Sequence, residues 1–509
     1  MKLYNKLILL LVVVMCSYGC TDFDELNTNP DTTTTVPASM LARGVILKMI
    51  QKGGSKDFIN DVLLAKQFTW NENANGIQYN LIGTKELSRL QTLVDCTDMV
   101  SKAPENSLKG YQGLASFAKA FMCYYTTMDL GDIPYSEAGM GEEGILKPKF
   151  DSQKDVLIGI LKDLEEAYSF FSAANDVAFE GDPVFGGNKN LWKKTVTAMQ
   201  LKVLINLSKR VDDSDLNVKT RFASIVSSGS LMTSNKDNYQ LVYEDKTNMR
   251  YPFNDMTTNQ CKYAMHSSVL VDTLKKYNDY RLFYYAEPAD GLLAEGFSKS
   301  DYDAYVGIDP SATFSVVSGE HGKKMFCAPN KRYTSTDHSV GEPLIYLGYG
   351  EQQLILAEAA LRGWISGDAD TYYKKGIKAN MEFTRNVTPD SYVNGRVMTD
   401  EYITSYLASD IIQLTGNFER DLKLVITQKY IANFLQYPYE AWYEYRRTGY
   451  PVLPINPESS QNSTGTDKIP MRYRYANREY SFNRANLEES LLRQFNGNDD
   501  INNLMWLLK

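Results

Sequence analysis

Histidine is almost missing from this chain, which holds three in 509 residues: His266, His321 and His338. They lie in loop-like sequence with no two at zinc-ligand spacing, so no metal centre is expected. There is no Gly-x-Ser-x-Gly elbow and no phosphate-cradling glycine loop, which removes two enzyme signatures that a single sequence can display. Asp301-x-Asp303 lacks the further spaced oxygens of a calcium loop and reads as solvated loop. Basic character is scarce too. The net charge is −8 and no basic stripe offsets it, which argues against a binder of nucleic acid or of anionic membranes. The apolar stretch 7–15 has nine residues, too few to cross a bilayer as a helix. Glycoside hydrolysis survives these exclusions, because it needs only two suitably spaced carboxylates and the chain has 62 acids. No catalytic residue, metal ligand or cofactor is assigned.

The same short apolar run is informative for what surrounds it. Lys2 and Lys6 precede it and Ser17-Tyr18-Gly19-Cys20 follows, the layout of a secretory leader. A cysteine directly after Gly19 looks like the lipidation site of a bacterial lipoprotein, with cleavage leaving Cys20 as the acylated N-terminus. Cys16, behind bulky Met15, fits less well because the cleaved position wants a small residue. Asp22, Asp24 and Glu25 then form an acidic cluster, and Asn27 to Thr35 is polar, proline-interrupted and aperiodic, an extended tether. The expected organisation is a leader over 1–19, a lipidated tether over 20–36 and one domain over 37–509. Losing Lys2 and Lys6 with the leader takes the net charge from −8 to −10.

From Pro37 helical spacing dominates. Residues 111–130 place Leu114, Ala118, Phe121, Met122 and Tyr125 on one face and end in the turn Gly131-Asp132-Ile133-Pro134-Tyr135. Asp151 or Ser152 opens a second helix, with Asp155 at the capping-box position, and Trp192, Val196, Met199, Val203 and Leu207 mark a third. Between an earlier helical pattern, Met40, Leu41, Val45, Ile46, Met49 and Ile50, and these, Trp70-Asn71-Glu72-Asn73-Ala74-Asn75-Gly76 reads as an amide-rich turn between helices. Trp70 and Tyr79 flank it, and Trp70, Asn73 and Tyr79 are candidate ligand contacts through ring stacking and amide hydrogen bonds. Thirty-five tyrosines make an aromatic surface suited to sugars or peptides plausible. Residues 231–343 are rich in Pro, Gly, Ser, Asn and Tyr and read as long functional loops around short helical pieces such as 269–277.

Residues 422–453 are the most specific stretch. Leu422, Ile426, Tyr430 and Phe434 form a buried stripe with Ile431 and Leu435. Tyr437-Pro438 breaks it, and a short helix carries Glu440, Trp442, Glu444, Arg446 and Arg447 to a stop at Thr448-Gly449 and Pro451. The arginine pair could clamp an anionic ligand. Glu444, three residues before Arg447, favours an internal ion pair instead, and Glu440 is expected to be held by a neighbouring loop.

Gln428-Lys429-Tyr430-Ile431-Ala432, Glu440-Ala441-Trp442 and Arg446-Arg447-Thr448-Gly449-Tyr450-Pro451 resemble the C-terminal signature of the SusD-like/RagB outer-membrane lipoproteins of Bacteroidetes. Gly131 to Tyr135, Asn190-Leu191-Trp192 onward, Leu356 to Trp364 and the tail from Met471 to Trp506 are similar to further parts of that family. The resemblance implies a mainly α fold: a helical scaffold of tetratricopeptide-like helix pairs under long irregular ligand-binding loops. No 34-residue period is visible in the sequence itself. It also implies a cell-surface lipoprotein, held by its lipid in the outer membrane, that captures a glycan or peptide and passes it to a SusC-type TonB-dependent transporter. In such proteins the insertions shape the ligand surface, which adds Tyr302 and Tyr305 to the candidate contacts. The acidic residues after Cys20 resemble that group's surface-export signal. The competing readings are a surface-anchored polysaccharide-degrading enzyme and an adhesin without a small ligand. Cys96, Cys123, Cys261 and Cys327 allow three pairings, but a chain this long needs no disulfide, and Cys123 beside Met122 suits a buried free thiol.

Overall fold

Polar side chains in the sequence mark most of the long helix starts. The computed structural model describes residues 36–52, 56–246, 249–252, 262–335 and 341–509, with backbone alone at 56–58. The leader, Cys20, the tether, Cys261 and His338 lie outside these residues. The longer helices are α1 Ala38–Ile50, α2 Lys56–Leu64, α3 Thr92–Ser101, α4 Leu108–Leu130, α5 Gln153–Ala173, α6 Lys189–Asn206, α7 Val218–Ser228, α8 Ser268–Lys276, α9 Phe314–Lys323, α10 Tyr349–Leu361, α11 Ala369–Val387, α12 Asp400–Ala408, α13 Phe418–Ala432, α14 Tyr439–Thr448 and α15 Arg484–Phe495. Ser152 accepts from the Asp155 N–H to open α5, Asn188 caps α6, Asp368 caps α11 and Asn417 caps α13. Each satisfies amide groups that a helix start leaves bare.

Helices adjacent in the chain pack as pairs. α4 lies on α5, α5 on α6, α10 on α11, and α10 also packs on α6 and α13. Glycines permit close approaches, of a loop to α4 at Gly110 and of α10 to α11 at Gly376. A Cβ on Gly110 of α4 would stand 1.8 Å from the Ala178 carbonyl, and one on Gly376 of α11 would stand 2.7 Å from Leu354 Cγ of α10.

Six short strands tie distant parts of the chain together. β1 Phe68–Trp70 runs antiparallel to β4 Ala264–His266, β2 Thr84–Lys85 runs parallel to β6 Arg474–Tyr475, and β3 Tyr239–Leu241 runs antiparallel to β5 Leu344–Leu347 with an irregularity at Tyr239/Gln240. The sequence reading placed Trp70 in a turn between helices; it belongs to a strand. The cause is Lys66, whose φ of 54° ends α2 and redirects the chain. Residues 231–343 also hold more order than expected, including α9 and helical turns at Leu282–Tyr285, Asp290–Ala294 and Lys331–Thr334.

Two apolar cores result. One is built on α1 and α3–α7 with Trp442 and Trp192; the other, rich in tyrosine, gathers β1, α8, α13 and the loops beside them. Ile77, Tyr243, Val269 and Tyr372 pack against both and join them. Cys96, Cys123 and Cys327 are buried free thiols. Among the described residues no helix is long and apolar enough to cross a membrane.

Candidate functional site

The arginines of α14 are structural. Arg447 meets Glu358 of α10 through two nitrogens, at 2.5 and 2.7 Å, and also bonds Glu444 and, at 3.1 Å, the Ser208 hydroxyl. Lys429 of α13 holds the other oxygen of Glu444, and Arg362 reaches Glu358 at 2.8 Å. Burial alone would raise the Glu358 carboxyl, but the Arg447 and Arg362 guanidiniums outweigh it and hold it at about 2. Among the described residues Arg446 has no carboxylate partner. It donates to the carbonyls of Met128 and Met471, each at 2.8 Å, and its guanidinium lies 3.9 Å from the Trp442 ring centroid. Burial pushes it down to about 10. Glu440 is gripped by helices and not by a loop: Lys202 of α6 at 3.0 Å and the Tyr125 hydroxyl of α4 at 3.1 Å. Lys202 also meets Glu351 at 2.9 Å beside a void of about 50 Å³, room for a water but not a sugar.

The five sequence-predicted contacts fall into two groups. Trp70, Tyr79 and Tyr305 are buried, while Asn73 is exposed and Tyr302 half-buried. Trp70 packs edge-on to Tyr263, 5.8 Å between centroids, and its backbone N–H donates to Gln78 Oε1 at 2.7 Å. The Tyr79 hydroxyl is buried beside Gln78, and burial together with nearby Asp309 raises it to about 12. Tyr305 donates to the Lys299 carbonyl at 2.9 Å, and Tyr302 lies under the Arg396 guanidinium at 4.9 Å. Thr69 Oγ1 donates to the Ile308 carbonyl at 2.9 Å, so the 68–80 and 301–308 segments share one platform. Beneath it Lys66 is fully enclosed, donates to the Gln78 carbonyl, and is pushed down to about 7 by burial against the pull of Asp309. Three of the five, Trp70, Tyr79 and Tyr305, therefore offer solvent no face, while Asn73 and part of Tyr302 do.

The large concavity lies elsewhere. A cleft of about 900 Å³ opens where the two cores meet, a size that accommodates a small oligomer. One wall is the outer face of α1, with Arg43, Leu47 and Gln51; another is Pro183, Val184 and Phe185; the third is the run Gln240 to Glu244, faced by Met249 and Pro252. Four cations line it, Arg43, Lys52, Lys236 and Arg250, against one carboxylate, Glu244. Lys52 is paired with Asp61 at 2.7 Å and Arg250 with Asp245 at 2.8 Å, and Glu244 meets Lys246. Among the described residues Arg43 and Lys236 have no carboxylate partner. None of the five predicted contacts lines this cleft. The signal missed in the sequence is the β-prone run Tyr239-Gln240-Leu241-Val242-Tyr243, hidden in a segment read as irregular. Among the described residues no group of three His, Cys, Asp or Glu could hold a metal ion.

Comparisons with known proteins agree on one family. A family model described as starch-binding and associating with the outer membrane, of SusD-like type, matches residues 32–476. The chain is 47% identical to a SusD homologue from Bacteroides fragilis, with TM-score 0.90, covering 93% of this chain and 100% of that one. It is 32% identical, with TM-score 0.83 and the same coverage, to an outer-membrane protein from Bacteroides vulgatus described in terms of nutrient binding. A chitin-binding protein at 22% identity and TM-score 0.73, covering 93% of this chain and 100% of that one, shares the fold. No curated protein matches.

Proposed function

This chain belongs to the SusD-like family, and from that premise we propose that it captures oligosaccharides or peptides at the cell surface and delivers them to a SusC-type TonB-dependent transporter, anchored in the outer membrane through an acylated Cys20. The family match over residues 32–476 carries the reading. The cleft supports it, as do the likeness to a B. vulgatus protein described in terms of nutrient binding and the fold shared with a chitin-binding protein. The work is binding without covalent chemistry. A stiff helical scaffold presents a preformed concavity, and the ligand leaves unchanged for the barrel beside it. Asn73 and Tyr302 form a second contact surface, with Trp70, Tyr79 and Tyr305 fixing the loops beneath them.

The test is calorimetric titration of the mature protein with a panel of maltooligosaccharides, chitooligosaccharides and short peptides, alongside affinity purification from detergent-solubilised membranes. Saturable binding of at least one panel member and recovery of a TonB-dependent barrel are expected. Turnover of a glycan, abolished by a carboxylate substitution, would replace capture with catalysis. Recovery of no barrel would remove the delivery step.

A further inference from the structure

The cleft is bounded by five consecutive residues, Gln240, Leu241, Val242, Tyr243 and Glu244. In an extended strand successive side chains point to opposite faces, so one face can offer a cavity only every second residue. Gln240 and Leu241, the two of the five that belong to β3, are neighbours of opposite parity and both border the cleft, so the strand meets it edge-on. Among the described residues β3 has a single neighbour, β5, and none of Leu344–Leu347 lines the cleft. The edge of β3 turned away from β5 is therefore the one that faces the cavity. Among the described residues, the backbone of 239–243 makes no hydrogen bond outside its pairing with β5; the first group beyond, the Glu244 N–H, donates to Met249 at 2.8 Å. The edge is also uncapped by side chains: Val242 is 58% exposed, and no proline or inward charge interrupts it.

Resting on the capture reading above, we propose that the ligand of this cleft is an extended acidic peptide that adds to the free edge of β3 as a third strand. Two observations select this occupant. The unsatisfied groups are main-chain donors and acceptors in a row, which a polypeptide complements group for group and a glycan does not. The charge is complementary as well, since Arg43 and Lys236 stand at the cleft without carboxylate partners on a chain whose net charge is −8. A saccharide site would instead show open indole or phenol faces. No tryptophan lines the cleft, Phe185 is turned into the ring cluster around Trp192, 5.7 Å between centroids, and Tyr243, the phenol that borders it, is half-buried and packs edge-on to Tyr251 at 5.5 Å. The apolar positions Leu47, Leu241 and Val242 would receive the peptide's alternate side chains.

The experiment uses the mature protein and a fluorescein-labelled peptide of alternating valine and glutamate, read by fluorescence anisotropy. Three comparison probes are the same peptide N-methylated at alternate amides, a version with lysine in place of glutamate, and maltoheptaose as competitor. Binding of the first probe is expected, with about tenfold weakening by N-methylation or by Val242→Pro, which removes one edge donor. Similar weakening is expected for the lysine peptide and for the Arg43→Glu, Lys236→Glu double variant. Circular dichroism and melting confirm that each variant is folded. Peptide binding indifferent to both N-methylation and Val242→Pro would overturn strand addition. Absence of peptide binding while a saccharide of the panel still binds would overturn it too and leave capture standing; failure of the entire panel would remove capture itself.

Discussion

Arg447 shows what a single buried side chain holds together. It joins α10 to α14 through Glu358 and stands beside Glu444, which Lys429 draws to α13. Removing one member of a buried network leaves charge without a partner, so Arg447→Ala is expected to cost about 3–5 kcal/mol in urea denaturation, with unchanged ligand affinity in the folded fraction. Glu444 was legible as its partner because three residues on a helix bring the two together; Glu358, 89 residues away, was not, since no local pattern encodes a distant contact. The predicted ligand contacts show the same limit. Sequence marks Trp70 and Tyr79 as aromatic neighbours of an amide loop, yet whether a ring faces solvent or core depends on what packs over it. His266 gives a pH effect of definite sign. Its ring lies between Phe68 and Phe434, Nε2 meets the Tyr285 carbonyl at 3.0 Å, and burial lowers it to about 4. The unfolded chain takes up this proton first as pH falls, so the stabilisation is complete above about 6.5 and is lost between 6.5 and 4, on the order of 3 kcal/mol. His266→Gln is expected to flatten that part of a stability–pH curve; an unchanged slope would contradict the assignment.

At the scale of elements, α14 is short but densely fixed. Trp442 is fully buried, its N–H donates to the Pro470 carbonyl at 2.8 Å, and Arg446 lies on its face. Trp442→Ala is expected to destabilise by about 3–5 kcal/mol while the folded fraction keeps its ligand affinity; a lost affinity with intact stability would move the ligand site to this corner. Elements with a continuous apolar stripe, such as α4, α5, α6 and α13, were legible from periodicity. α9 was not, because Val317 is its one buried residue and the rest of Phe-Ser-Val-Val-Ser-Gly-Glu-His-Gly-Lys gives no stripe. β1 and β3 were missed for a related reason: each is three residues long, too short for alternation to show, and each exists through a partner far along the chain.

For the whole molecule, the mainly helical scaffold followed from the family resemblance and not from a visible repeat. Helix pairs here fill differently shaped gaps, α10 and α11 closing on Gly376 against Leu354 and α4 and α5 on Gly113 against Phe171, so no common period is imposed on the sequence. The division into two cores was illegible because Ile77, Tyr243, Val269 and Tyr372, which join them, look like ordinary apolar positions. The proposed lipid attachment belongs to this scale, as it rests on the organisation of the chain. Cys20→Ser is expected to shift the protein from the membrane fraction to the soluble fraction, checked by fractionation and by loss of lipid mass, with the melting temperature unchanged. The placement of α14 also bears on how the molecule is made. Its partners Met128, Lys202, Ser208 and Glu358 are all synthesised before it. Until it arrives, Lys202 has, among the described residues, only Glu351 and Glu358 only Arg362 as ionic partners. Long-range closure of this kind slows folding, so a growing chain can complete its helix pairs early yet reaches its final, locked state only as the last seventh of the polypeptide is delivered.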